Sequence, residues 1–333
     1  MLKSRLFEER TAELWNKGEI FGEMHMGTGE EAIIASIISQ LIDGDAVAAD
    51  HRGTSAFLLR GTDPVELLLE FLGNENGLCK GNGGHMHLFD KEYLMSSSGI
   101  VGSSGPAACG YGLTIQNKGT SNIAVAFFGE GAMNQGMMLE SLNLAAAWDL
   151  PILFVCKDNG WAITTRSEKV TGGDHARRAE SFGMDATRID GFNIDQTWKC
   201  STDAIKYIRK RGRPFFIQAT CVHRHGHFLG DPLFRFHDDM IGEFKEVGGD
   251  LMKAMVKKHG QNFIKRGFTV GQVLGSINAS KGQMKRKFDP VLTCKEELDD
   301  KNRVRAIEKD VQKEIDAIVD EAMKIHKKTG EQK

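Results

Sequence analysis

A carboxylate and an amide follow two apolar stretches of the sequence, where together they could hold a metal ion. Glu130 comes directly after one apolar run, and Asn159 comes shortly after the next. Mg²⁺ and Ca²⁺ prefer hard oxygen ligands such as carboxylates, amides and backbone carbonyls, and Mg²⁺ is often also bound by phosphate oxygens. With the backbone carbonyl of Trp161 as a third oxygen, these residues predict a cation site.

The segments around these residues read as a strand, a glycine turn, a helix and a second strand. Residues 123–128 and 152–156 are continuous apolar runs of strand length. Two buried parallel strands with a helical crossover are the simplest interpretation, and this predicts an α/β fold with a mostly parallel sheet flanked by helices. Since ligands of open α/β sheets bind at the carboxyl ends of the strands, Glu130 and Asn159 should be neighbours.

The glycine turn itself is a candidate anion site. Gly129, Gly131 and Ala132 open the predicted crossover helix, whose unpaired first amides favour a diphosphate. A dinucleotide site of a nicotinamide-dependent dehydrogenase is the rival interpretation, although Asn134 stands where that fingerprint requires its third glycine. An ordinary turn without a ligand is the remaining alternative.

The same patterns predict the other elements. Thr28 and Glu31 form a candidate capping box for the second helix, and the glycine density of residues 77–105 indicates an ordered binding loop. Residues 164–183 have no clear period and predict a loop that orders on ligand binding. Predicted helices cover residues 2–17, 32–41, 64–72, 202–211 and 304–325, and further strands cover 46–49, 186–189 and 214–222.

Composition limits the classes of partner. The 333 residues include 43 Lys and Arg against 45 Asp and Glu, a net charge of -2, which gives no electrostatic reason to expect nucleic acid or an anionic membrane surface. Six scattered cysteines without a CxxC pair suit reduced thiols in the cytoplasm. Because no apolar run approaches the roughly 18 residues of a membrane span, we expect a cytoplasmic protein.

Three further sites carry groups that could act on an anion or a carbonyl. Arg52, beside Gly53 after a short predicted strand, is placed to grip a phosphate, with a surface ion pair as the alternative. His25 precedes a helix and is either a catalyst or a hydrogen-bonded loop residue. The histidines at 223, 225 and 227 would face one way on a strand and bind a metal, but Gly226 favours a loop in which one or more meets an anionic ligand.

Several separate motifs occur together in one order, and together they resemble a known family. Gly129-Glu130-Gly131, followed by the asparagine of Asp158-Asn159-Gly160-Trp161, is similar to the thiamine-diphosphate fingerprint. The others are GEEA at 29–32, HRG at 51–53, CKGNGGHMHLFD at 79–90, GIVG at 99–102 and HGHFLGDP at 225–232. Residues 5–235 thus resemble the thiamine-dependent alpha subunits of 2-oxo-acid and acetoin dehydrogenase complexes.

The resemblance implies a thiamine-diphosphate-binding fold and a role for each matching residue. Glu130, Asn159 and the carbonyl of Trp161 would hold Mg²⁺. Arg52 and His227 would bind the diphosphate.

Other implied roles concern the ring and the reacting carbonyl. Lys157 would assist at the diphosphate, and Gly99 and Val101 would offer backbone contacts to the aminopyrimidine. His25 or His227 would transfer a proton near the reacting carbonyl, a role that suits imidazole.

The resemblance also implies partners and a substrate class. A beta subunit would complete the site in an α2β2 assembly, and a lipoyl acyltransferase component would accept the two-carbon or acyl unit. Residues 158–163 and 226–231 look more like acetoin and branched-chain members than pyruvate members, so acetoin is favoured and the 2-oxo acids are alternatives. A subunit that keeps the fold for assembly without catalysis is a third interpretation.

The same comparison divides the chain. Residues 1–239 are expected to form the cofactor-binding core, residues 240–288 an insertion of unknown role, and residues 289–333 a helical segment that packs on the core or on a partner. Glu130 stands where Asp is commoner in the family. Phe228 and Gly230 stand where relatives carry phosphorylated serines, so that control should be missing.

Overall fold

A mostly parallel sheet lies at the centre of the computed structural model, which describes residues 1–231 and 285–330. Its strands are β1 (Ala46–Ala49), β2 (Phe89–Asp90), β3 (Met95–Ser97), β4 (Ala124–Gly129), β5 (Ile152–Asp158), β8 (Asp185–Asp190) and β9 (Phe215–Thr220). Their order is β2-β3-β1-β4-β5-β9-β8, and only β2 and β3 are antiparallel neighbours. A separate hairpin pairs β6 (Trp161–Ala162) with β7 (Thr165–Arg166). The predicted α/β class is confirmed.

Helices cover both faces of this sheet. They are α1 (Leu2–Asn16), α2 (Glu31–Ile38), α3 (Thr54–Arg60), α4 (Pro64–Phe71), α5 (Ser104–Lys118), α6 (Gly136–Ala147), α7 (His175–Ser181), α8 (Ile194–Arg211), α9 (Pro290–Glu297) and α10 (Lys301–Gly330). The predicted helices are present, but α8 begins well before the expected start at residue 202.

Side chains alternate across the sheet and divide the buried core in two. Val125 and Phe127 of β4 belong to one cluster, which also holds side chains of α1, α2, α8 and α10. Ala126 and Phe128 belong to the other, with side chains of α5, α6 and α7. Because both faces are covered, residues 124–128 of β4 and 152–156 of β5 are apolar at successive positions, as is typical of buried parallel strands.

The predicted capping box at α2 is wrong. Thr28 does not cap the helix, because its hydroxyl donates to Glu8 Oε2 at 2.9 Å. The helix begins after Glu30, with no side-chain cap. Glu31 instead accepts from the Gly29 N–H at 2.8 Å. The Thr28 hydroxyl, which local spacing assigned to a helix cap, thus donates instead to the carboxylate of Glu8 in α1.

Two segments predicted as loops contain regular structure. Residues 164–183 hold β7, a short 3₁₀ helix and α7, which is capped by Asp174 through the Arg177 N–H at 2.9 Å. The helix is only seven residues long, too short to show a period. Residues 77–105 hold β2 and β3, and the backbone before them is organised by Glu70, which accepts from the N–H groups of Cys79, Gly81 and Gly83.

The carboxyl-terminal helices lie against the amino-terminal part of the chain. Helix α10 contacts α1 and α4, and Asp289 before α9 accepts two hydrogen bonds from the Arg5 guanidinium, each of 3.1 Å. The predicted insertion at 240–288 falls largely outside the described residues, and the proposed division into domains stays a prediction. Among the helices the structure describes, none combines the length and apolar character that crossing a bilayer demands. A cytoplasmic location also stays a prediction.

Candidate active site

A cavity of about 260 Å³ opens at the carboxyl edge of the parallel strands. The chain segments that leave β1, β3, β4, β5 and β9 all contribute to its wall. Its lining includes Glu30, Asp50, His51, Arg52, Ile100, Val101, Ser104, Gly129, Glu130, Gly131, Ala132, Asn159, Trp161, Ile163, His223 and His227. The position follows from the topology, because parallel strands deliver their following loops to one edge.

The predicted cation ligands come together on one side of this cavity. Glu130 Oε2 accepts from the Asn159 N–H at 3.4 Å, and Glu130 Oε1 accepts from the Ser167 hydroxyl at 2.6 Å. The Asn159 side-chain oxygen accepts from the Trp161 N–H at 3.0 Å. Burial raises the pKa of the Glu130 carboxyl group to about 7, although the hydrogen bond from Ser167 opposes the shift. The predicted proximity of Glu130 and Asn159 is confirmed.

Arg52 and His227 meet on another part of the wall. One guanidinium nitrogen of Arg52 donates to the Met26 carbonyl at 2.6 Å, and the other donates to the His227 carbonyl at 2.7 Å. The side chain is 2% exposed. Within residues 1–231 and 285–330, Arg52 forms no ion pair, and burial lowers the pKa of its guanidinium. A buried cation held by neutral carbonyls is suited to meet an anion.

Lys157 is placed differently from the expectation. Its ammonium is 1% exposed and bonds to Glu30 at 2.7 Å and to Asp50 at 3.0 Å. Lys157 is not among the residues that line the cavity. Its charge is therefore matched by two carboxylates, and direct help at a diphosphate is not what the geometry favours.

His25 and Gly99 do not line the cavity either, whereas Val101 does. The His25 ring lies 4.7 Å from the His51 ring and 4.9 Å from the His227 ring, between centroids. Burial, and then the charge of Arg52, lower the pKa of His25 to about 2 and that of His227 to about 4. Both rings are neutral at pH 7. The alternating histidines lie in a loop, so the strand interpretation is wrong, and only His223 and His227 reach the wall.

The glycine turn departs from the expected helix start. Gly129 is followed by a 3₁₀ helix, Glu130–Asn134, and the α-helix begins only at Gly136. The expectation that residues 129–132 open the crossover α-helix is wrong, although Gly129, Gly131 and Ala132 do line the cavity. The early 3₁₀ turn places the Glu130 side chain at the cavity wall.

Sequence reasoning missed several polar groups of the wall, among them Glu30, Asp50, His51 and Ser104. Glu30 and His51 stand inside the GEEA and HRG motifs and Asp50 directly precedes HRG, but nothing in their spacing shows that they face the cavity. Ser104 stands at the start of α5 and carries no sequence signal. Among the described residues, His51 Nε2 and the Ser104 hydroxyl are buried without a hydrogen-bonding partner.

These observations fit the cofactor that the motifs imply. The two unpartnered atoms, the unpaired Arg52 cation and the Glu130 carboxylate with its raised pKa all belong to one cavity wall. Phosphate oxygens would satisfy the first three groups, and a divalent cation would restore the charge of the fourth. The donor set is therefore compatible with a diphosphate and Mg²⁺.

Comparisons with known proteins agree with the family that the sequence motifs indicate. The family model described as dehydrogenase E1 component matches residues 1–262. The alpha subunit of acetoin:2,6-dichlorophenolindophenol oxidoreductase from Bacillus subtilis is 37% identical over 249 residues, 74% of this chain and 75% of that protein. Its counterpart from Cupriavidus necator is 38% identical over 229 residues, 68% of this chain and 69% of that protein.

A third relative comes from another complex. The pyruvate dehydrogenase E1 component subunit alpha of Rickettsia felis is 32% identical over 248 residues, 74% of this chain and 76% of that protein. These matches confirm the resemblance that the motifs carried. The chain belongs to the dehydrogenase E1 component family.

Proposed function

We propose that this chain is the alpha-type subunit of a thiamine-diphosphate- and Mg²⁺-dependent dehydrogenase. It acts on a C–C bond next to a carbonyl and passes the two-carbon or acyl unit to a lipoyl acyltransferase component. The observation that carries the proposal is that two buried groups of opposite charge lie in one cavity wall: Arg52, which has no ion pair among the described residues, and Glu130, whose pKa is raised by burial.

The cationic side explains why an anion should bind. A buried charge without a partner is costly, and the carbonyls of Met26 and His227 offset only part of that cost for Arg52. A diphosphate would accept from Arg52 and from the otherwise unpartnered Ser104 hydroxyl. NAD also carries a diphosphate, but it gives no role to the carboxylate on the same wall.

The anionic side explains why a cation should accompany the phosphate. Glu130 would regain its charge beside Mg²⁺, and Asn159 and the Trp161 carbonyl would add neutral oxygens. All three residues line the cavity. The ligand assignment comes from the family motif, and the convergence of the three residues supports it.

The hydrogen bonds define complementary proton positions on two histidines. His85 Nε2 accepts from the His25 backbone N–H at 3.0 Å, so its lone pair also accepts from His25 Nδ1 at 3.1 Å. A neutral His25 then has its lone pair on Nε2. His227 Nδ1 faces an Arg52 N–H at 3.3 Å, which leaves its proton on Nε2. His25 is therefore a candidate proton acceptor and His227 a candidate donor.

When bound, thiamine diphosphate would supply the electron sink for the C–C bond that is broken. The residues of this chain would bind and orient the cofactor and exclude water from the site. Apolar side chains stand at the cavity, where Ile100, Val101 and Ile163 are 61%, 51% and 56% exposed. A beta-type subunit in an α2β2 assembly would cover them, which agrees with relatives that are alpha subunits.

Acetoin is the favoured substrate. The relatives named for acetoin are 37% and 38% identical, against 32% for the one named for pyruvate. Pyruvate and branched 2-oxo acids are the alternatives.

The test is to co-express the chain with its beta-type partner and measure thiamine diphosphate binding by calorimetry with and without Mg²⁺. We expect Mg²⁺-dependent binding and lipoamide-dependent turnover, faster on acetoin than on pyruvate or branched 2-oxo acids. NAD binding without Mg²⁺-dependent thiamine diphosphate binding would overturn the proposal. Intact complex activity in a Glu130→Ala variant would favour a non-catalytic assembly role.

A further inference from the structure

A buried chain of side-chain hydrogen bonds ends on the amide of Asn159. The amide nitrogen lies 2.6 Å from His223 Nδ1, and His223 Nε2 lies 2.8 Å from Glu30 Oε1. Glu30, 1% exposed, is held in turn by the Lys157 ammonium at 2.7 Å. His223 and Glu30 both belong to the cavity wall, but the family motifs assign them no role.

The orientation of the Asn159 amide is fixed by a donor that cannot reverse. The Trp161 backbone N–H lies 3.0 Å from one end of the amide and can only donate. That end must therefore be the oxygen. The amide nitrogen then faces His223, and His223 Nδ1 must carry a lone pair to accept from it.

The His223 tautomer that accepts from the Asn159 amide is also the one that Glu30 stabilises. If Nδ1 of His223 accepts, the proton of a neutral ring is on Nε2, which faces the carboxylate of Glu30. A carboxylate that already accepts from an ammonium can only accept again. The contacts at both ends of the ring thus agree on one proton position.

We infer that His223 and Glu30 are positioning residues for the metal ion, because together with the Trp161 N–H they keep the oxygen of the Asn159 amide directed away from His223 and toward the metal-binding side of the wall. This rests on the proposed function, in which Asn159 is a Mg²⁺ ligand. Neither residue touches the ion. They act through the amide, as the residues behind metal ligands commonly do.

Two substitutions would disturb these hydrogen bonds in different ways. His223→Phe keeps an aromatic ring but removes the acceptor, so only the Trp161 N–H still orients the amide. Glu30→Gln keeps the size of the side chain, yet its amide accepts from Lys157 and donates to His223, which moves the ring proton to Nδ1. That proton faces the N–H groups of the Asn159 amide and so opposes the orientation that the Trp161 N–H favours.

The experiment measures binding of Mn²⁺, as a spectroscopic substitute for Mg²⁺, by electron paramagnetic resonance. The full chain is purified with its co-expressed beta-type partner, and thiamine diphosphate is present. We expect both variants to bind Mn²⁺ about 10- to 100-fold more weakly than the parent. Excess Mg²⁺ should restore thiamine diphosphate binding, which it would not do for a misfolded protein. His225→Phe is the matched control, since His225 lies in the same loop but not in the wall.

Three outcomes decide the matter. Weaker Mn²⁺ binding in both variants, with parental binding in His225→Phe and unchanged thermal midpoints, supports the inference. Parental Mn²⁺ affinity in Glu30→Gln and His223→Phe overturns it and leaves the proposed function intact. Failure of the unchanged protein to bind Mn²⁺ with thiamine diphosphate overturns both.

Discussion

The two charged sides of the cavity are built in different ways. On the Glu130 side, the partners Asn159 and Ser167 lie 29 and 37 positions along the chain. On the Arg52 side, the guanidinium reaches back 26 positions to Met26 and forward 175 positions to His227. The first side follows from one strand-turn-helix-strand unit, whereas the second exists only when distant parts of the chain have met.

The two sides also differ in how burial acts on them. Burial raises the pKa of the Glu130 carboxyl group and lowers the pKa values of His25, His227 and Arg52. Each shift favours the uncharged form. The wall therefore holds groups of both signs whose charged forms are disfavoured by burial, so a ligand carrying both signs would stabilise the charged forms on both sides.

The sharpest test of the Arg52 side separates proton transfer from binding. His25→Gln should lower kcat by about 10²- to 10⁴-fold, the usual contribution of a general acid or base, because His25 Nε2 is the candidate acceptor. Thiamine diphosphate affinity should stay near the parental value, since the role proposed for His25 is at the reacting carbonyl and not at the diphosphate. Steady-state kinetics and calorimetry measure the two effects.

His87→Gln is the control for that variant, because His87 is exposed in the neighbouring loop. It should keep the parental kcat. A His25→Gln enzyme with parental kcat would remove His25 from the catalytic assignment.

Arg52→Ala should give the next largest effect. Removing one partner of a buried, hydrogen-bonded charge pair costs about 2–5 kcal/mol, so thiamine diphosphate affinity should fall about 30-fold or more. Calorimetric titration at fixed Mg²⁺ measures the change. Arg213→Ala, which removes an exposed arginine paired with Asp149, should bind as the parent does. Equal affinity in both variants would show that the diphosphate does not lie on the Arg52 side.

The Glu130 side makes a prediction about stability against pH. The folded-state pKa is about 7, above the ordinary value of 4.5. The folded protein therefore binds the extra proton, and the contribution of Glu130 to the free energy of unfolding falls as pH rises from 4.5 to 7. The upper bound is about 3 kcal/mol. Glu130→Gln should abolish this pH-dependent contribution to the free energy of unfolding in the metal-free protein. Denaturant unfolding at several pH values measures it.

Glu8 provides a matched comparison. It is 1% exposed, and burial also raises its pKa to about 7, but it accepts from Gly27 and Thr28 and does not line the cavity. Glu8→Gln should remove a pH-dependent contribution to the free energy of unfolding similar to that of Glu130. Binding of Mg²⁺ and thiamine diphosphate should abolish the pH-dependent contribution of Glu130 but leave that of Glu8 unchanged. If the two contributions respond equally to the ligands, the metal does not bind at Glu130.

Local patterns predicted what depends on neighbours in sequence. The apolar runs identified β4 and β5, and the parallel-strand rule brought Glu130 to Asn159. The capping box failed because Glu8, 20 positions away, takes the Thr28 hydroxyl. The pairing of Asn159 with His223 across 64 positions could not be read from spacing. Such contacts depend on strand order, which the hydrophobic period does not specify.

That strand order has a consequence for how the chain is made. β9 lies between β5 and β8, and β8 pairs with β9 alone among the described strands. During synthesis β8 emerges first and has no strand beside it until β9 follows and inserts against β5. β9, which precedes His223 and His227, is thus the last of the described strands to be synthesised, and a ribosome that stalls before it would leave β5 with an unpaired edge, which favours aggregation.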